Sequence, residues 1–409
     1  MIDLSAVKSI SIPEGKVLQI SVKDAVIWNR IKRYGFKREK INSDPYARIT
    51  YIYDAEDMTP MSVNLSTNTP DYGDWKEFID EVCRPVMLKY DGTVDYELSH
   101  DDQNYKLDGS ASDITSDAYN GNAMIEFRKY KWVKRYEDMK YEYVIFCEIQ
   151  FDDEYKPYAF VNELGKVSDV FYWGMFESTL ISSRLRSLGN RQALDVNRST
   201  DSQITYAQAN GAGWNIGYKS GWDYICDLLT LLGKSDNSQA TFGYGCCKTS
   251  NTATLTVGTR RTGGAFWGSS NQTSGVKTLY IENFWGNIWE RVNGMVLDKA
   301  NGIKVKMTPP YNLTGDGFTY TGVKPSMACD GYWTQSLCGD LGYVPISASG
   351  GSATTYMCDG HKINITILGV AAIGGRYNYG LYTGARCVSL ASTTAATSTV
   401  GCRLTYIPV

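Results

Sequence analysis

Apolar and polar positions alternate in short runs along most of this chain, the period of strands rather than helices. Near the start, Val7–Ile12 and Val17–Val22 alternate on either side of a Pro13-Glu14-Gly15 turn, and Val26–Trp28 forms a third short run. Further on, Ala47–Tyr53 reads as a strand. The stretch Asp74–Val82 reads as a helix, with Trp75, Phe78, Ile79 and Val82 on one stripe. Asp91-Gly92 between Val86–Tyr90 and Thr93–Leu98 predicts a hairpin, because that dipeptide tolerates the positive φ of a tight turn. Strands are then predicted at Ala123–Phe127, Lys131–Lys134 and Tyr143–Ile149. Between Trp214 and Leu232 the period changes: Trp222, Ile225, Cys226, Leu228, Leu229 and Leu232 keep helical spacing, and Gly233 is placed to close the helix. A Gly/Ser/Thr/Asn-rich stretch, a Trp-rich strand and more short strands run to Val409. One amphipathic helix among many short strands predicts an α+β fold.

Three segments separate on this pattern: 1–30, a β segment; 31–119, a small α+β unit; and 120–409. A hairpin as small as the first is not stable alone, so it is expected to pack on another subunit or a structural collar. The length of 409 residues fits two or three domains, and the 43% apolar content suffices for a real core. A net charge of −3 argues against a general nucleic-acid binder, which carries a basic face. The start, Met1 to Ser5, has neither a basic region nor an apolar core, which predicts no secretory leader. Ile363–Ile373 is among the longest apolar runs, and Asn364, Thr366 and Gly369 interrupt it, so no membrane span is expected. The 10 cysteines include no CxxC pair and read as free thiols, with Cys387 and Cys402 the pair that strands could bring together. Asp101, Asp102 and Asp108 make an acidic loop without EF-hand spacing, so neither a metal nor a cofactor is expected.

Two motifs narrow the class. Behind a strand-like Thr278–Tyr280 comes Glu282–Val292, containing Trp285, Gly286, Asn287, Trp289 and Glu290. The two tryptophans supply large buried area, Gly286 permits a tight turn, and Asn287 and Glu290 can bond loop backbone. Downstream, Gly374-Gly375 is followed by Ala385–Leu390, a small polar loop, and an end with Gly401 and Arg403. In order and spacing these resemble the Gly-Asn-Val-Trp-Glu-Trp, Gly-Gly and Gly-x-Arg anchors of C-type-lectin domains of the formylglycine-generating-enzyme branch. The resemblance covers roughly 121–409 and implies that fold there, with mainly-β segments before it. Segments at Asp91, Asp108 and Gly121, and the N-terminal Ser9–Trp28 pattern, look like tail proteins of phages from Gram-positive gut bacteria.

Several members of that fold are variable proteins of diversity-generating retroelements, and the resemblance implies a hypervariable stretch at about 375–403. Those retroelements mutate adenines, usually in Asn codons, and such changes never yield Lys, Glu, Gln, Met or Trp. None of the five occurs between Arg376 and Arg403. The implied ligand-binding residues are Arg376, Tyr377, Tyr379, Leu381, Tyr382, Thr383, Arg386, Ser392, Thr393, Thr394 and Thr397, a tyrosine and Ser/Thr mixture of paratope character. An extended stretch after Gly375 would point Tyr377 and Tyr379 to one side and Arg376 and Asn378 to the other. Trp285, Gly286, Asn287, Trp289, Glu290, Gly374, Gly375, Gly401 and Arg403 would be the frame. The implied partners are a host-surface protein or glycan and other tail proteins, in a homo-oligomer that tail symmetry suggests is a trimer, within the virion. A structural tail or baseplate component without a ligand is the alternative. Catalysis is opposed by missing residues: Tyr379 and Gly384 stand where the oxidases of this fold carry their two cysteines, and Cys387 reads as a core residue of the next strand. The iron-dependent relatives need several histidines, and this chain has only His100 and His361, the latter reading as a turn residue. Neither Glu-Pro-Asn nor Trp-Asn-Asp, the marks of calcium-dependent sugar binding, is present.

Overall fold

The structure, a computed structural model, describes residues 31–192, 197–249, 255–325, 329–337, 339–347 and 350–409, with backbone alone at 19–22, 25–29, 329, 335–337 and 346–347. It is α+β, with 12% helix and 35% strand. At the N-terminus, Gln19–Val22 pairs antiparallel with Ala25–Asn29, so the second and third expected runs form a two-stranded ribbon. The expected strand Val7–Ile12 and the turn at Pro13 lie outside the described residues.

Three sheets build the body. The first has four antiparallel strands in the order Trp132–Glu137, Tyr141–Cys147, Arg33–Glu39, Ile49–Tyr53. The second has six: Trp214–Ile216, Leu404–Tyr406, Phe171–Gly174, Gly121–Phe127, Cys83–Lys89 and Val94–Glu97. The third is mixed. It runs Thr319–Tyr320, Gly302–Val305, Trp289–Asp298, Gly369–Ile373, Val388–Ser392, Gly360–Ile363, Cys329–Tyr332, with Val400–Cys402 lying parallel beside Trp289. The hairpin at Asp91-Gly92 forms as expected, with Gly92 at φ +83°.

The segment boundary expected near 119/120 is not a break in packing. Cys83–Lys89 pairs along its whole length with Gly121–Phe127, and Arg33–Glu39 does the same with Tyr141–Cys147. Phe36, Trp75, Val144, Trp222 and Trp285 belong to one continuous core. Residues 31–119 therefore share sheets and interior with the rest, because neither half can satisfy its strand edges or bury its apolar faces alone.

The short helix is Lys76–Val82, and the expected stripe of Trp75, Phe78, Ile79 and Val82 is buried. It starts two residues later than expected because the Asp74 carboxylate accepts the Thr59 N–H at 2.7 Å, holding a turn. The carboxylates of Asp102 and Asp108 likewise close turns, accepting from the backbone of Asn104 and Ser110. The long helix is Lys219–Gly233, and all 15 of its residues are buried. Gly233 is its last helical residue rather than its stop; Lys234 takes the left-handed turn at φ +47°. Among the described residues no helix is long and apolar enough to cross a membrane.

A helix enclosed on every side must neutralise its own charges inside the protein. Lys219 pairs with Asp223 one turn on. Asp227 accepts from Arg135 Nε at 2.7 Å and from Arg386 Nη2 at 2.6 Å, tying the helix to the four-stranded sheet on one side and to the 385–386 turn on the other. Beside this pair, Arg38 grips Asp236 with two bonds, of 2.7 and 2.6 Å, and reaches Glu142 at 2.7 Å. Removing one member of such a set strands its partners without water. We predict that Asp227→Ala, which leaves Arg135 and Arg386 buried and unpaired, costs about 3–5 kcal/mol in urea denaturation.

Candidate ligand-binding surface

The predicted frame residues converge on one joint. Val400–Cys402 lies in the mixed sheet and Leu404–Tyr406 in the six-stranded sheet, so Arg403 is the single residue between the two. Its side chain is fully buried and its guanidinium faces Glu290, with bonds of 2.5, 3.0 and 3.2 Å. It also donates to the carbonyls of Gly174, Met175, Glu282 and Asn283. Five donors in a rigid fork suit a site where a carboxylate and several loop carbonyls meet.

Next to the pair stands Glu177, which lay outside the predicted frame. Asn287 Nδ2 and Asn283 Nδ2 both donate to its Oε2, at 2.6 and 2.9 Å. Burial first, and then the charge of Glu290, push the Glu177 carboxyl from an ordinary 4.5 up to about 8. Asn287 also accepts the Leu255 N–H at 2.8 Å, and its backbone N–H bonds the Cys246 carbonyl at 2.8 Å. The turn before it requires Gly286: φ is +85°, and a Cβ would stand 2.7 Å from the Cys246 carbonyl oxygen. Gly375 is equally constrained, with φ +78° and a Cβ position 2.7 Å from Thr383 Oγ1. Gly286 N–H bonds the Gly374 carbonyl at 2.9 Å, joining the two motifs directly. Trp285 is buried and donates Nε1–H to the Gly243 carbonyl at 3.1 Å; Gly401 pairs with Glu290 across the parallel strands.

In an extended strand Trp289 and Arg291 share one face and Glu290 takes the other. Glu290 faces Arg403. On the opposite face, Trp289 meets Tyr379 at 5.1 Å between ring centroids, and Arg291 donates to the carbonyls of Ala395 and Thr393. Both parts of the predicted variable stretch thus border one sheet face. Tyr379 continues into a ladder of rings: Tyr379 to Tyr382 at 5.4 Å, and Tyr382 stacked on Tyr332 at 4.3 Å. Tyr379, Tyr382 and Tyr332 are half-buried, Asn378 is exposed, and Leu381 is 37% exposed on the short turn Gly380–Tyr382.

Three of the predicted binding residues are interior. Tyr377 is 6% exposed, Thr383 0% and Arg386 3%. The backbone after Gly375 is a turn and not the extended run that alternation assumed: Tyr379 N–H bonds the Arg376 carbonyl at 3.0 Å, which folds Tyr377 underneath. Thr383 packs under Gly375. Arg386 is drawn inward by Asp227 and lies over the Tyr343 ring at 4.1 Å. Arg376 and Ser392 are half-buried. Thr393 is exposed and Thr394 and Thr397 half-buried on a loop whose carbonyls accept from Arg291, from Thr200 N–H at 2.9 Å and from Asn197 N–H at 2.8 Å.

The surface also includes residues outside the predicted stretch. Asp330 accepts the Tyr379 hydroxyl at 2.6 Å and pairs with Lys362 at 3.7 Å across neighbouring strands. Tyr332 completes the ring ladder. The one sequence signal for these was their alternation, Asp330 and Tyr332 falling on one side of a short strand.

The eight cysteines whose side chains are described are all free and buried, Cys387 and Cys402 included. Burial pushes the Cys387 thiol well up, which disfavours the thiolate that nucleophilic chemistry needs. His361 lies in the strand Gly360–Ile363 and not in a turn; burial lowers its pKa to about 4. No family model and no curated protein matches this chain.

Two outcomes follow from the frame. Because the folded protein holds the Glu177 proton that the unfolded chain releases near 4.5, the contribution of this carboxyl to stability falls as pH rises from there to about 8 and is constant above. The slope is at most about 1.4 kcal/mol per pH unit. Glu177→Gln flattens that slope, as read by denaturation across the window. Trp289→Ala removes the ring wedged against Tyr379, Ala372, Cys387 and Val400 and costs about 3–5 kcal/mol in the same assay.

Proposed function

We propose that this chain is a phage tail-tip or fibre adhesin whose C-terminal part has a C-type-lectin fold of the formylglycine-generating-enzyme branch. On this reading, it binds a host-surface protein or glycan through the Trp289–Tyr379–Tyr382–Tyr332 ladder and the neighbouring Ser/Thr loop. The N-terminal ribbon joins it to other tail proteins, in a homotrimer carried on the virion. The observation that carries the reading is the ring ladder. Half-exposed aromatics stand on a buried, hydrogen-bonded frame, the arrangement in which rigid rings give contact area at low entropy cost. Copies on a tail tip add avidity to modest single affinities. The burial of Tyr377, Thr383 and Arg386 favours the second reading, a structural tail component without a ligand, because those residues serve packing.

The binding residues under the first reading are Asn378, Tyr379, Leu381, Tyr382 and Thr393, with Asp330 and Tyr332 beside them. The combined variant Leu381→Asp, Tyr382→Ser, Thr393→Asp should keep its melting temperature while its binding to candidate host cells falls by about 30-fold or more, the loss of one hot spot. Tyr377→Ala, by contrast, should lower the melting temperature. Host-cell binding that survives the triple variant overturns the assignment of the surface. A reverse transcriptase gene beside this one, with a near-copy of the codons for 375–401, would separate the diversified adhesin from the structural component.

A further inference from the structure

Away from the ring ladder, a cleft of about 390 Å³ opens beside the edge strand Trp214–Ile216, within the size range of small-molecule sites. Its wall is apolar and partly aromatic: Pro309, Pro310 and Tyr311. Around that wall stand three polar side chains with spare hydrogen-bonding capacity. Asn215 Oδ1 is taken by Ile216 N–H and by Asn293 Nδ2, at 2.9 and 3.0 Å, which leaves the Asn215 amide hydrogens to the cleft. Glu163 and Gln208 are exposed at the rim and their side chains make no ion pair or hydrogen bond among the described residues.

The charge pattern selects the ligand. Among the described residues, no Lys, Arg or His lines the cleft, so none of them neutralises a phosphate, a nucleotide or a carboxylate there. The single carboxylate and two carboxamides offer acceptors and donors together, as a ring of hydroxyls requires. A pyranose has that ring of hydroxyls around a flat C–H face, and a Pro-Pro-Tyr wall matches the face. We propose that this cleft binds a neutral saccharide. The site is separate from the ladder and requires neither its tyrosines nor the adhesin reading.

Saturation-transfer NMR on the full chain tests this, with the methyl glycosides of glucose, galactose, rhamnose and N-acetylglucosamine as probes, and glycerol and choline as controls. At least one glycoside should give transfer while glycerol, which has hydroxyls but no ring face, gives none. Glu163→Arg with Gln208→Ala, both at exposed positions, should weaken that glycoside about tenfold. Leu381→Asp with Tyr382→Ser should leave it unchanged. The proposal is overturned if no glycoside binds, if choline binds in their place, or if the ladder variant removes the signal and the cleft variant does not. A cleft that binds glycosides in a protein that ignores host cells would retain this inference and sink only the adhesin reading.

Discussion

The pairing of Arg403 with Glu290 is the contact on which the rest of the architecture rests. One residue separates a strand of the mixed sheet from a strand of the six-stranded sheet, and its side chain is bonded to a carboxylate and four carbonyls from three other segments. A charge buried at a joint between sheets tolerates little sliding, since any shift breaks several charge-assisted bonds in a medium without water to replace them. The proton on Glu177 is part of the same balance. With Glu290 already matched to Arg403, a second ionised carboxylate beside it would have no counter-charge, so burial and Glu290 push the proton affinity of the carboxyl that the Asn283 and Asn287 amides meet upward.

The enclosed helix solves a related problem in another way. Its polar residues point at fixed partners on two sides, so that Asp227 measures the distance between the four-stranded sheet and the 385–386 turn. The same turn is held from the helix by Trp222 Nε1 on the Ala385 carbonyl at 2.8 Å. The strand that follows the ring ladder is therefore positioned by the interior of the protein, and the half-buried tyrosines inherit that position.

Much of this was legible along the chain and some was not. The spacing of Trp222, Ile225, Leu228, Leu229 and Leu232 announced the long helix, and the Trp-Gly-Asn, Gly-Gly and Gly-x-Arg residues proved to touch one another. Local signals of this kind survive because periodicity and left-handed turns are written into a few consecutive residues. Arg386 was misplaced because its partner lies 159 residues away, and an arginine in a Tyr-rich stretch looks like a surface residue until that partner is known. Asp330 escaped notice for the same reason, 49 residues from the hydroxyl it accepts. The strand pairing across residue 119 was not legible because a strand does not reveal which neighbour completes it.

The loop from Thr393 to Thr399 is fastened through main-chain carbonyls, by Arg291, Thr200 and Asn197 from outside it. Every residue type brings the same carbonyl, so these outside anchors fix the loop's length more than its spelling, although the Thr393 and Thr397 hydroxyls also accept from the Ala395 and Thr399 N–H groups within it. Exchanging letters there leaves each anchor in register, whereas adding or deleting one slides every carbonyl past its donor. Such a segment accommodates change by replacement alone.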